Sequence, residues 1–228
     1  MPTSQAKFEE LLFDVLLPDF CAQVHRNCHP LGFRRASIKV GEEDARYFLL
    51  AWESGLVRRQ AQGRYVGPIP SHAEGFFWDG LRSVEPRPFT LWLEPIITFG
   101  SLARLHHDHG WPVDRLGTQS FDGAFDTVAY TVGHRNEHVA GEVKKARREV
   151  DDLVAYMAEY GADPSAPEPD KSQQKRRNAF RKLAALRDRN APVFWALGPD
   201  GYSKAFLPRY LDSGVVELNE AGSSALDF

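Results

Sequence analysis

The chain has 228 residues, 43% of them hydrophobic, and a formal net charge of −3. That length supports one well-buried domain, or a domain with a smaller appendage, and the charge excludes a polycation. No stretch approaches the run of about 18 apolar residues that a membrane span needs, and the start lacks the basic-then-apolar order of a secretory leader. Two cysteines, Cys21 and Cys28, are too few for a disulfide framework, so a reducing, cytoplasmic setting is expected.

Phe8, Leu11, Leu12, Val15 and Leu16 recur at helical spacing, which predicts an amphipathic helix over residues 4–17. Pro18 suits the start of a new turn, and Phe20, Cys21, Val24 and Cys28 extend the stripe until Pro30 and Gly32 end it. Cys21, His25, Cys28 and His29 share this helix, but their spacing matches no common zinc finger; two thiols on an apolar face are expected. Residues 34–40 (RRASIKV) and 45–53 (ARYFLLAWE) are predicted as strands around the turn GEED, with GLVRRQ adding a third. Residues 61–90 are rich in Gly, Pro and aromatics and predict irregular loop with short ordered pieces. Within them FFWDG, Phe76 to Gly80, is expected to form local core, with base stacking as its functional alternative.

The second half is more regular. A helix is predicted from about Ile96 to His109, closed by Gly110, with His106, His107 and His109 in capping or core roles at its negative end. VDRLGTQS and AFDTVAYTV are predicted strands, GHRNE a hairpin loop, and HVAGEVK the returning strand. Val150, Leu153, Val154 and Met157 mark an amphipathic helix, and GADPSAPEPD a linker. A basic helix over 171–189, buried along Phe180, Leu183 and Leu186, precedes the strands PVFWAL and GVVELN. The order predicts an α/β core preceded by an α+β N-terminal part.

Side chains alternate along a strand, so Glu142 and Lys144 share a face, as do Asp126, Val128 and Tyr130 on the strand before. A hairpin symmetric about Arg135 pairs Val132 with His138 and Asp126 with Lys144, leaving Glu142 opposite Val128 and diagonal to Asp126. Such diagonals are about 7–8 Å apart, close enough for two carboxylates to share one cation. A slip of one residue would separate them, so the expectation depends on an odd-length loop. Paired carboxylates suit Mg²⁺, with Mn²⁺ an acceptable substitute, and an adjacent ammonium could neutralise charge on a phosphate. That is apparatus for metal-assisted phosphodiester hydrolysis.

Asp126 followed by Glu142-Val143-Lys144, on neighbouring strands between two helices, resembles the PD-(D/E)XK nuclease superfamily with its restriction-endonuclease-like fold. The resemblance covers about Glu94 to Asn190. LARLHHDHGWPVDRL is similar to that family's first core helix and turn, FDTVAYTV to its aspartate strand, and VAGEVKKARREVDDLVAYM to its E-x-K strand and following helix. The resemblance implies Asp126 and Glu142 as metal ligands, Val143 as a ligand through its carbonyl, and Lys144 as catalytic base or charge stabiliser. Phe125 stands where the name-giving proline would be. Asp122 is an alternative ligand of the same strand parity, and Glu94 a candidate for the glutamate that many members carry on the first helix.

On this reading residues 91–228 are the nuclease core, and residues 1–90 an α+β region for recognition or dimerisation. The expected partner is nucleic acid, DNA before RNA, without a membrane and compatible with a homodimer. Lys145, Arg147, Lys175, Arg176, Arg177, Arg181 and Lys182 are the candidate phosphate contacts, against the plainer reading of a solvated helix face. The alternative function is a catalytically silent module of the same fold that binds nucleic acid or a protein.

Overall fold

The computed structural model describes residues 2–24, 28–69, 71–79, 84–133 and 136–228. The N-terminal stripe forms helix α1 (Ser4–Leu11), capped by Thr3 Oγ1, which accepts from Ala6 N at 3.2 Å. It runs through a π-helical segment (Leu12–Leu16) into α2 (Leu17–Val24). Phe8, Leu12 and Leu16 are buried, and the wider π turn cancels the drift that a spacing of four would show on a regular helix.

The two segments expected as strands after Gly32 are helical instead. Residues 45–53 lie in α3 (Glu42–Glu53), and Arg35–Ser37 form a 3₁₀ turn. A short unbroken apolar run such as Tyr47 to Trp52 fits a strand or a helix equally. The residues read as a turn, Glu42, Glu43 and Asp44, are the acidic first turn that suits a helix dipole. The third expected strand is present as β1 (Arg58–Gln60), joined by β2 (Arg64–Val66) and β3 (Glu74–Gly75) in a small antiparallel sheet. A ribbon of β4 (Phe77–Asp79) and β5 (Phe89–Leu91) follows. Phe76 and Phe77 are core residues, as expected, whereas Trp78 is 64% exposed; Gly80 lies outside the described residues.

Helix α4 (Leu93–His107) starts three residues before the expected Ile96, because Pro95 is tolerated in a first turn whose N–H groups lack intrahelical partners. Then come β6 (Leu116–Thr118), β7 (Thr127–Ala129), β8 (Val139–Val143), α5 (Arg147–Ala162), α6 (Gln174–Arg189), β9 (Val193–Leu197), β10 (Ser203–Tyr210) and β11 (Val216–Ala221). These six strands form one mixed sheet in the order β11-β10-β9-β8-β7-β6. Only β8 and β9 are parallel, and α5 and α6 supply the crossover that a parallel pair requires. Strand β10 is absent from the sequence reading; Pro208 interrupts its pattern, and it sits beyond the reach of β9, opposite Leu218 of β11.

The sheet lies between two apolar layers. Val139, Val143, Trp195 and Leu197 pack with α3 and α4, while Ala140, Phe194 and Ala196 pack with α5 and α6. The first layer also holds Phe8, Phe48 and Phe76, so residues before and after position 90 share one core. Gly141 packs tightly on that side, where a Cβ would stand 3.0 Å from Thr127 Cβ and would push it back by a few tenths of an ångström. Thr127 Oγ1 in turn lies 2.6 Å from Ser101 Oγ, which ties β7 to α4. The architecture is a mixed α+β fold, and no helix among the described residues is long and apolar enough to cross a membrane.

One buried carboxylate ties α3 to the β9–β10 turn: Asp44 Oδ2 accepts from Asp200 N at 2.8 Å. Burial, with the Asp200 charge adding to it, pushes Asp44 up to about 6. A folded value above the ordinary carboxylate value of about 3.9 means that this group's contribution to stability is complete below pH ~4 and lost as pH rises through about 6. Asp44→Asn, which keeps an acceptor for Asp200 N, is therefore expected to gain on the order of 2 kcal/mol over the wild type at pH 8 and almost nothing at pH 4. Denaturant unfolding at the two pH values measures this, and an equal effect at both would refute it.

Candidate active site

Strand β8 runs through the middle of the sheet, and Val139 to Val143 are all buried. Thr127 pairs with Gly141, Val128 with Ala140 and Ala129 with Val139. The odd parity predicted from the loop is present, but the register differs by two residues: Thr127 stands opposite Gly141 where the symmetric hairpin predicts Val143, and Asp126, one step beyond the paired residues, donates its N to Gly141 O. The loop accounts for the shift. Pairing stops at Ala129 and Val139, so the connection is longer than GHRNE and is centred on position 134, one residue earlier than the predicted Arg135; both positions lie outside the described residues. Asp126 Oδ2 accepts from Val143 N at 2.8 Å, locking the end of β7 onto β8.

Glu142 is 2% exposed. Such a carboxylate needs charged partners, because burial without them costs several kcal/mol. Two lysines meet it. Lys144 Nζ lies 2.5 Å from Oε1 and also donates to Val143 O at 3.0 Å. Lys182 of α6 makes an ion pair with Oε2 and donates to Ala124 O. The Oε2 contact lacks hydrogen-bond geometry, so that buried oxygen accepts no hydrogen bond.

The charges reshape one another. Burial, then the Glu142 charge, push Asp126 up to about 7. For Glu142 burial also acts upward, but Lys182 and Lys144 outweigh it and hold the carboxyl below its ordinary range. Lys144 is opposed by burial, yet Glu142 and Asp126, helped by Glu94, raise it above its ordinary value. Lys144 is thus a firmly charged ammonium between acidic neighbours.

The other anticipated residues are distributed unevenly. Glu94, in the first turn of α4, accepts from Trp92 Nε1 at 3.1 Å and lines a cavity of about 480 Å³ together with Lys144, Lys145 and Tyr156. Asp122 faces away: it holds Ser120 and Ala124 in their turn and pairs with Arg189. Among the described residues no group of three or more His, Cys, Asp and Glu is arranged around a common point for a metal ion. Cys21 Sγ and Cys28 Sγ are 2.9 Å apart on the apolar side of α2, and His25 lies outside the described residues. His106, His107 and His109 bond to Trp111 O, Ser54 Oγ and Asp227 respectively, which is structural work.

Most cations of α6 are bound to carboxylates of their own surroundings. Lys175 pairs with Asp152, Arg176 with Glu159, and Arg177 and Arg181 both with Glu168. Arg147 lies over the Tyr202 ring. Lys182 is the residue whose place the sequence does not suggest at first sight, since it reads as one of many basic residues. The signal is its position: it adjoins Leu183 on the stripe of Ala179, Leu183 and Leu186 that α6 buries.

Removing one partner of a buried pair costs about 3–5 kcal/mol, so Lys182→Met is expected to lower the unfolding midpoint by roughly 6–20 °C for a chain of this size. Adding Glu142→Gln to the same chain should restore part of that loss. Calorimetry of the two single variants and the double variant checks this, and losses that merely add would show that Lys182 acts through packing alone. Neither a protein-family model, nor a curated protein, nor a solved structure matches this chain.

Proposed function

We propose that the protein is a divalent-metal-dependent nuclease with the restriction-endonuclease-like fold, acting on phosphodiester bonds, DNA before RNA. One observation carries this reading: Asp126, Glu142 and Lys144 converge at the end of paired strands β7 and β8, within the chain order α4-β6-β7-β8-α5 that the resemblance leads one to expect.

The residues suit a hard cation in kind. Asp126 and Glu142 are facing carboxylates, Val143 offers a carbonyl, and Glu142 Oε2 is a buried oxygen that accepts no hydrogen bond. Lys182 supplies the positive charge at that oxygen and would have to turn aside for the ion. A bound metal would polarise the scissile phosphate and lower the pKa of its water. The chain's own contribution is an ammonium. In the metal-free chain its acidic neighbours raise Lys144, which suits an ammonium that stabilises charge developing on the phosphate. Asp126, through Val143 N, keeps the two strand ends in register while this happens.

A second reading has its own support. Two lysines already balance two carboxylates, which is what a silent module of the same fold would need to remain stable without a metal. One set of assays separates the two readings. Supercoiled plasmid, short duplexes and single strands, with Mg²⁺, Mn²⁺ or chelator, should be tested together; at least one should be cut by the wild type only with metal, and about 10²-fold or more slowly by Glu142→Ala and Lys144→Ala. Mg²⁺ should also raise the melting temperature of the wild type, and of Lys182→Met more, while leaving Glu142→Ala unmoved. No cleavage together with no metal-dependent shift would establish the silent module.

A further inference from the structure

A second groove, of about 600 Å³, adjoins the cavity beside Lys144 and shares Lys145 with it. Arg34, Lys39 and Lys145 line this groove, and no Asp or Glu does. Among the described residues no carboxylate pairs with any of these three, in contrast to the cations of α6. Unpaired cations on a chain of net charge −3 create a local positive field that the molecule does not cancel internally. The N-terminal ends of α4 and α5, at Trp92 and Ala146, lie on the same groove without side-chain caps, with Glu94 and Glu149 in their first turns offsetting part of the helix-end charge.

The groove also carries an aromatic surface. Trp92 lines it and is 38% exposed; its Nε1 is fixed by Glu94. Trp78, opposite Thr90 in the β4–β5 ribbon, packs edge-on against Trp92 with ring centroids 5.9 Å apart. Large exposed indoles held in place beside unpaired cations match the two needs of a strand with unstacked bases: faces for the bases and charge for the phosphates. A duplex keeps its bases stacked on one another and offers no face to an indole.

We propose that this groove binds single-stranded nucleic acid, stacking bases on Trp92 and Trp78, holding phosphates on Arg34, Lys39 and Lys145, and leading the strand to Lys144 and Glu142. The direction of the strand rests on the nuclease reading; the binding does not.

The test uses the full chain in chelator, so that no cleavage intervenes, with a labelled oligothymidylate of about 15 nucleotides. Fluorescence anisotropy should show the single strand bound at least about tenfold more tightly than a blunt duplex of equal length, with quenching of tryptophan emission. Trp92→Ala should weaken binding about tenfold and Trp92→Phe much less, both with unchanged melting temperature. Arg34→Ala and Lys39→Ala should each flatten the salt dependence by about 0.7 in slope. Oligouridylate in a parallel titration assigns the sugar, and tight binding of either strand supports the groove. Equal affinity for duplex, or equal competition by polyglutamate or inorganic polyphosphate, would overturn it by showing a patch that reads charge alone. Metal-dependent cleavage with single-strand affinity untouched by Trp92→Ala removes the groove and leaves the nuclease. Single-strand binding without cleavage under any metal does the reverse.

Discussion

Glu142 sits in the central strand of a six-stranded sheet with almost no access to water, and its ionised carboxylate is held by two ammonium groups. Lys144 is local, two residues along the same strand. Lys182 is delivered by α6, after the whole α5–α6 crossover, and its placement requires Ala179, Leu183 and Leu186 to be seated against the sheet. The same ammonium donates to Ala124 O, just before Asp126. One charge therefore couples the docking of α6, the end of β7 and the centre of β8. A fold that buries a carboxylate at this depth commits its neighbouring elements to one arrangement, because any loosening of α6 leaves an uncompensated charge.

The same accounting changes how the basic residues are read. A count of lysines and arginines in 171–189 suggests a cationic helix, but Lys175, Arg176, Arg177 and Arg181 are matched to Asp152, Glu159 and Glu168. Each exposed pair contributes little to stability, of order 0–1 kcal/mol, but together they remove the long-range field that would draw in a polyanion. The field is left instead to Arg34, Lys39 and Lys145, which are far apart in sequence and form no visible cluster there.

What the sequence makes legible follows from how local the cause is. The stripes of α1, α5 and α6 and the alternation of β7 and β8 are periodic, and the parity that puts Asp126 and Glu142 on one face needs only an odd loop. The offset of two is not read from either strand's alternation, since it depends on the connection centring on position 134 instead of 135. Helix α3 was hidden by continuous apolarity, and β10 by Pro208. Lys182 could be suspected only from its place on a buried stripe, because its partner lies forty residues earlier on another element. Arg34 and Trp92 meet through the bridge of Phe33 to Phe89, a contact between the start of a segment that reads as strand and the end of one that reads as loop.

On the nuclease reading, the competition at Glu142 Oε2 couples the metal to the substrate. An ammonium already neutralises that oxygen, and its other partner, Ala124 O, carries no charge, so a hydrated divalent ion gains little by displacing it. A phosphate arriving beside Lys144 would offer the lysines an anion outside the protein and would leave Glu142 and Asp126 freer to hold a divalent cation. Each ligand then binds more tightly in the presence of the other, and by linkage the factor is the same in both directions. The paired lysines that make the site stable without a metal are, on that account, the element that keeps the cation from being held firmly until a strand is in place.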